Sequence, residues 1–474
     1  MANIVGRERE IDLLSQYVDS GRPEFVAVFG RRRVGKTFLI KEFFKLQFTF
    51  YFTGADNVDK QQQLINFNKA LNKYGKRDYP VVKSWFEAFN QLIKMLERSK
   101  KRGRKVVFID EMPWLDTPRS KFIQALEYFW NTWASSNPDI LLIVCGSSTS
   151  WIINKLIRNR GGLHNRVTRQ IPIEPFTLYE CEEYLKHRKI SFSRRQIVEC
   201  YMIMGGVPYY WEQLEKPLSL SQNIDNLFFK KKGVLREEFK KIFNSLFKHP
   251  DRYLNIIEAL GKKRKGLTRE EIIAASGITD GGTLSKMLEE LEQCSFIRSY
   301  YAYEKLTKNT LYQLIDFYTL FYLNFLKGVR QSDENYWTNQ IDNAKHRAWS
   351  GYAFEQICMQ HSAQIRKKLG ISGVTTYSAA WRSKSSEPAV QIDLLIDRND
   401  DIINLCEMKY AANEFVIDIK QDETLRNKKS TFISELKTRK GVHITMITTY
   451  SVKRNEYWNN IQSEVTMNDL FEKT

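Results

Sequence analysis

Phe25-Val26-Ala27-Val28-Phe29-Gly30-Arg31-Arg32-Arg33-Val34-Gly35-Lys36-Thr37 decides the fold. Five apolar residues read as a buried strand, and Phe38 to Phe44 after the loop reads as a helix. Between them lies G-x-x-x-x-G-K-[ST], the phosphate-binding loop, in its required strand–loop–helix setting. Gly30 and Gly35 let the backbone fold tightly, so the N–H groups of Arg31, Arg32, Arg33 and Val34 can face an anion. The helix N-terminus adds partial positive charge. Lys36 can reach β- and γ-phosphates, and the Thr37 hydroxyl can ligate Mg²⁺.

Val106-Val107-Phe108-Ile109-Asp110-Glu111 reads as a second strand of the same sheet, ending in two acids. Asp110 is the candidate metal carboxylate and Glu111 the group that orients or deprotonates the attacking water. Ile140 to Cys145 is a further buried strand, followed by Gly146-Ser147-Ser148-Thr149. A small hydroxyl there, Ser147 or Ser148, is placed to sense a γ-phosphate. Phe48 to Phe52 and Val167 to Ile173 complete five strands, with helices over residues 4–19 and 58–100. Strands alternating with helices predict a parallel sheet whose ligand lies at the carboxyl ends of the strands.

The 474 residues suffice for about three or four domains. A net charge of +18 is compatible with a nucleic-acid partner and equally with a basic surface kept for solubility. Six scattered cysteines without a C-x-x-C pair give no zinc or redox signature and read as buried free thiols. Met1 to Arg7 is not a signal peptide, and stretches such as Asp316 to Leu326 are too short to cross a bilayer. A cytoplasmic protein without membrane contact is expected.

Downstream, the sequence divides into a core over 1–175, a helical lid over 176–245, a winged helix-turn-helix over 246–314, an aromatic helical connector over 315–345 and a last unit over 346–474. In the third segment, helices are predicted at Tyr253 to Leu260, Arg269 to Ala275 and Leu284 to Cys294. Ile297 to Tyr301 and Thr310 to Leu314 would form the wing. Leu284, Leu288 and Leu291 mark a core face, and Lys262 to Lys265 form a basic run before the second helix. Such modules bind DNA, and others serve only protein contacts. Tyr318, Phe321, Tyr322 and Phe325 form an apolar stripe expected in the core.

In the last unit, Gly351 to Ile357 is read as opening a helix, and Val390–Asp397 and Ile402–Tyr410 as two strands around a tight turn. With the turn centred at Asp400, Asp393 lies opposite Glu407, and Lys409 shares the Glu407 face. Two carboxylates and an amine on one face, completed by Glu355 from the helix, would form a Mg²⁺ site able to act on a phosphodiester. The plain alternative is a charged strand face with a salt bridge.

Taken together, the chain resembles the archaeal-type ATPase family, a branch of the AAA+/STAND P-loop class. Carrying the resemblance are Val5-Gly6-Arg7-Glu8, the Gly30–Thr37 loop with its three arginines, Ile109-Asp110-Glu111, Gly146-Ser147-Ser148 and Gly205-Gly206-Val207-Pro208-Tyr209. So do the winged helix and a C-terminal region similar to PD-(D/E)XK nucleases, in which this chain has Gln391 where an acid commonly precedes Ile-Asp. The resemblance implies an ATP-driven homo-oligomer, with Val5, Gly6 and Arg7 beside the adenine and Arg166 acting across subunits on the γ-phosphate. The expected fold is multidomain α/β: a P-loop parallel-sheet ATPase core with helical lid, a winged helix-turn-helix and a C-terminal α/β PD-(D/E)XK-like domain. The expected function is a Mg²⁺-dependent ATPase coupled to a DNA-acting nuclease-like module. The alternatives are a signalling switch or a DNA-binding regulator in which that module is inactive.

Overall fold

A computed structural model describes residues 4–158, 161–163, 165–263, 265–300, 303, 310–329, 333–339, 343–383 and 390–474. Met1–Asn3, Arg264 of the basic run and Tyr301 of the predicted wing lie outside them.

β1 (Glu24–Phe29) runs between β4 (Ile140–Cys145) and β5 (Arg169–Pro172). With β2 (Phe50–Thr53) and β3 (Lys105–Asp110) they form a parallel sheet of order β2-β3-β4-β1-β5. Both faces are covered, which is why these strands are continuous apolar runs. Phe25 and Ala27 join one core with residues of the helices Lys60–Gly75, Trp85–Arg98 and Phe122–Thr132. Val26 and Val28 join the other, with residues of the helices Glu8–Asp19 and Lys36–Phe43. Asp59 and Ser84 cap two of these helices by accepting from the backbone N–H groups of Gln62 and Glu87. The predicted strands are present, with ends displaced by up to two residues.

The chain divides into two units, Met1–Pro175 and Phe176–Thr474. The second unit has one dominant apolar core, running from Phe176 and Leu178 through Leu284, Phe321 and Phe354 to Phe471. Tyr318, Phe321 and Phe325 are buried in it, as the stripe predicted. Gly206 lies where a Cβ would come within 1.8 Å of the Phe176 carbonyl oxygen, so a close backbone approach explains that glycine.

The helices Pro250–Lys262, Arg269–Ser276 and Gly282–Gln293 accompany a three-stranded antiparallel sheet of order β6-β8-β7. Here β7 is Ile297–Tyr300, β8 is Leu311–Leu314, and β6 (Leu267–Thr268) is a short strand the sequence pattern did not announce. Leu284, Leu288 and Leu291 are buried.

A second five-stranded sheet has order β13-β12-β11-β10-β9, with β9 Thr376–Arg382, β10 Gln391–Arg398, β11 Ile402–Lys409, β12 Gly441–Thr448 and β13 Ser463–Thr466. β9, β10 and β11 are antiparallel; β11, β12 and β13 are parallel. Leu394, Ile396, Cys406 and Met408 pack in the same core as Phe354 and Ile357 of the helix Ala344–Gln360. Leu395, Ile403 and Leu405 pack with Phe432 of the helix Ile419–Leu436. The first of these helices begins seven residues before the expected Gly351, because Asn343 caps it by accepting from the His346 N–H at 2.7 Å.

Candidate functional site

The loop after β1 is held by close packing as much as by its turn. A Cβ on Gly30 would fall 2.2 Å from the Ile173 carbonyl oxygen, and Gly35 sits at φ 89° as the N-cap of the Lys36–Phe43 helix. Lys36 is buried, and its Nζ donates to the carbonyls of Gly30 and Arg31, both at 2.8 Å. The ammonium thus lies across the mouth of its own loop.

Thr37 Oγ1 donates to Asp110 Oδ2 at 2.9 Å, and Asp110 Oδ1 accepts from the Glu111 N–H at 2.9 Å. Thr37 begins a helix beside β1, and Asp110 ends β3, so the sheet brings together a hydroxyl and a carboxylate separated by 73 residues. Glu111 adopts the left-handed conformation, φ 46° and ψ 46°, unusual outside glycine. Its Oε2 accepts from both the N–H (3.1 Å) and the Oγ (2.8 Å) of Ser147, just past β4. Ser148 caps the next helical turn without a side-chain cap bond. Burial pushes the neighbouring Cys145 thiol well up, with the Asp110 charge adding to the effect.

Arg7 is buried in the left-handed conformation, and its Nη2 donates to the Val34 carbonyl at 3.2 Å. Val5 and Gly6 precede it directly, so the chain start is tied to the loop. Glu174, just past β5, is exposed, yet desolvation by the surrounding protein raises its carboxyl against the pull of Arg7 and Arg31, which places it near both arginines. Nothing in the sequence singled out Glu174. Arg166 is exposed, three residues before β5, and among the described residues its side chain makes no hydrogen bond or ion pair. His164 of that segment is not described.

The C-terminal constellation forms only in part. The ladder from Leu394↔Cys406 to Asp397↔Ile403 has the predicted register. On the β9 side, however, Ile392 pairs Trp381 and Leu395 pairs Ala379, so Asp393 and Leu394 together face Ala380. That β-bulge takes Asp393 out of the alternation that was to align it with Glu407. Asp393 and Glu355 line one cavity. Glu407 instead packs with Leu425 and Lys428 of the Ile419–Leu436 helix, accepting from Lys428 at 2.6 Å and pairing with Lys409 at 3.0 Å. Burial alone would raise its carboxyl, and the two lysines overcome this and hold it below the usual range. Among the described residues, no three His, Cys, Asp or Glu side chains form a cation cluster, so the expected Glu355–Asp393–Glu407 metal site is not assembled. Lys428 was invisible to sequence reasoning, as one lysine among several on a polar helix.

All six cysteines are buried and unbridged, as expected. Among the described residues no helix is long and apolar enough to cross a membrane.

Residues 4–214 match an ATPase domain found predominantly in Archaea. The uncharacterized protein MJECL04 of Methanocaldococcus jannaschii is 23% identical over 415 residues, spanning 86% of this chain and 87% of its own length. Among solved structures, the chain is similar to the Walker-type ATPase paby2304 of Pyrococcus abyssi, with TM-score 0.49, 18% identity, and coverage of 68% of this chain and 96% of that one. It is also similar to the ORC2 protein of Aeropyrum pernix, with TM-score 0.45, 12% identity, and coverage of 73% and 97%. With its phosphate loop, acidic β3 terminus and parallel sheet in place, the segment 4–214 carries an ATPase domain of the kind found predominantly in Archaea.

Proposed function

We propose that this protein hydrolyses ATP with Mg²⁺ and uses the nucleotide cycle to change how its second unit grips DNA. One observation carries the first half: Lys36, Thr37, Asp110, Glu111 and Ser147 meet at the carboxyl ends of β1, β3 and β4. The paired Thr37 hydroxyl and Asp110 carboxylate are an all-oxygen donor set suited to Mg²⁺, which neutralises phosphate charge when bound. Lys36 exchanges its loop carbonyls for phosphate oxygens. The loop N–H groups and the helix N-terminus hold the β-phosphate. Glu111 accepts a proton from, or orients, the attacking water, and Ser147 ties that carboxylate to the γ-phosphate position. Arg7 lies on the base side of the loop, and exposed Arg166 is available to a neighbouring subunit in an oligomer.

The DNA half is supported by the charge of +18 and by the three helices with a small antiparallel sheet, which we read as a winged helix. Separation of Glu407 from Asp393 and Glu355 favours gripping over cutting in the PD-(D/E)XK-like region.

Two measurements test the reading. Lys36→Ala should lose ATP binding and turnover, whereas Glu111→Gln should bind ATP and lose turnover. Hydrolysis retained in Glu111→Gln places the base elsewhere. Duplex binding should weaken steeply with salt and fall when Lys262, Lys263 and Lys265 are neutralised together. Salt-independent or absent binding leaves a signalling ATPase whose second unit contacts protein.

A further inference from the structure

A cavity of about 480 Å³ opens in the second unit between β7, β8, the Ala344–Gln360 helix and the β9–β10 strands. That volume is in the usual range for small-molecule sites, about 300–1,000 Å³. Arg298 of β7 stands in its wall. Its Nε and Nη2 both donate to one neutral acceptor, Gln313 Oε1, at 3.0 and 2.5 Å, and Nη2 lies 2.7 Å from the Met359 sulfur. Among the described residues Arg298 pairs with no carboxylate, and Nη1 makes no hydrogen bond, although Glu355 and Asp393 line the same cavity. A desolvated guanidinium without a counter-ion is costly, and a bidentate oxyanion is its best complement. Lys265 and Arg347 add further cations to the lining, and the rings of Tyr300 and Tyr352 add apolar surface.

A second polar group stands in the same wall. Gln391 also lines the cavity; its Nε2 donates to Asp393 at 2.5 Å, while its buried Oε1 accepts no hydrogen bond. Buried polar atoms in folded proteins are nearly always partnered.

We propose that this cavity is a second nucleotide site, which takes one nucleotide with a terminal phosphate: the phosphate on Arg298 and Lys265, and the ring against the tyrosines. The chemistry is shared by a free mononucleotide and by the 5′-phosphorylated end of a strand. It is distinct from the phosphate loop in the first unit and does not depend on ATP hydrolysis.

The test uses the full chain carrying Lys36→Ala, so that the phosphate loop is disabled and failure here leaves the ATPase reading intact. Calorimetric titration compares AMP with adenosine, and a 5′-phosphorylated single-stranded oligonucleotide with its unphosphorylated twin. AMP binding assigns the site to free nucleotides, and binding of the phosphorylated strand alone assigns it to strand ends. In either case Arg298→Gln should weaken binding at least tenfold. Gly351→Leu keeps every charged group and fills open space, since a Cβ at Gly351 meets nothing within 4 Å; it should block the site without unfolding the chain. Affinity that ignores the phosphate, survives Arg298→Gln or Gly351→Leu, or is absent for both phosphorylated probes overturns the proposal.

Discussion

Ser147 holds the Glu111 carboxylate at two points, with its Oγ 2.8 Å and its N–H 3.1 Å from the same Oε2. The two residues lie beyond the ends of neighbouring strands, β3 and β4. A carboxylate oxygen fixed by two donors has one free partner to offer, so its direction is set before a substrate arrives. Ser147→Ala removes the hydroxyl and leaves the N–H. Turnover should fall roughly ten- to a hundredfold with little change in KM, and Ser147→Thr should recover most of it. Steady-state ATPase kinetics on the three proteins decide the matter; an unchanged kcat in Ser147→Ala would remove Ser147 from the mechanism.

Gly30→Ala tests the base of the loop. The added Cβ would meet a backbone oxygen, Ile173 O, at 2.2 Å, which cannot rotate away, and φ is 148°. The cost should be at least about 2 kcal/mol, together with lost nucleotide binding. Gly35→Ala meets open space and should cost only the strain of its φ of 89°, about 1 kcal/mol. Thermal denaturation of both variants should rank them in that order.

His361 predicts a pH dependence. It is fully buried; its Nε2 accepts from the Leu178 N–H at 3.0 Å, and its Nδ1 lies 2.8 Å from the Ile357 carbonyl oxygen. Burial pushes its pKa from 6.5 down to about 4, against the pull of the Ile357 carbonyl. The unfolded chain therefore binds the extra proton first. This contribution is complete above about pH 6.5 and is lost as pH falls towards 4, at roughly 1.4 kcal/mol per unit. Denaturant titrations from pH 7 to 4 should show a shallower slope in His361→Phe than in the parent.

Glu407 should behave as a structural ion-pair centre. Glu407→Gln leaves Lys428 and Lys409 without their shared carboxylate and should destabilise by about 1–3 kcal/mol. ATP turnover should be unchanged, because the residue lies outside the unit holding the phosphate loop. A variant of undiminished melting temperature would overturn this assignment.

Much of the nucleotide site could be read directly. Gly30, Gly35, Lys36 and Thr37 are spaced along one segment, and Asp110 and Glu111 end an unmistakable apolar run, so local pattern was enough. Ser147 was marked for the same reason. Glu174 and Lys428 were not, because an acid after a strand and a lysine on a polar helix look like solvated surface until their neighbours arrive from distant segments.

The C-terminal sheet marks the boundary more sharply. Alternation and turn length determined the β10–β11 register correctly, since both are properties of a single hairpin. Where Asp393 points was decided by β9, whose pairing inserts a bulge opposite Ala380. The sequence by itself determined the five strands of the first sheet, the phosphate loop, the acids of β3 and the β10–β11 hairpin. Tertiary structure decided which carboxylates meet, because a one-residue bulge re-aims a side chain at little local cost and leaves no trace in hydrophobic periodicity.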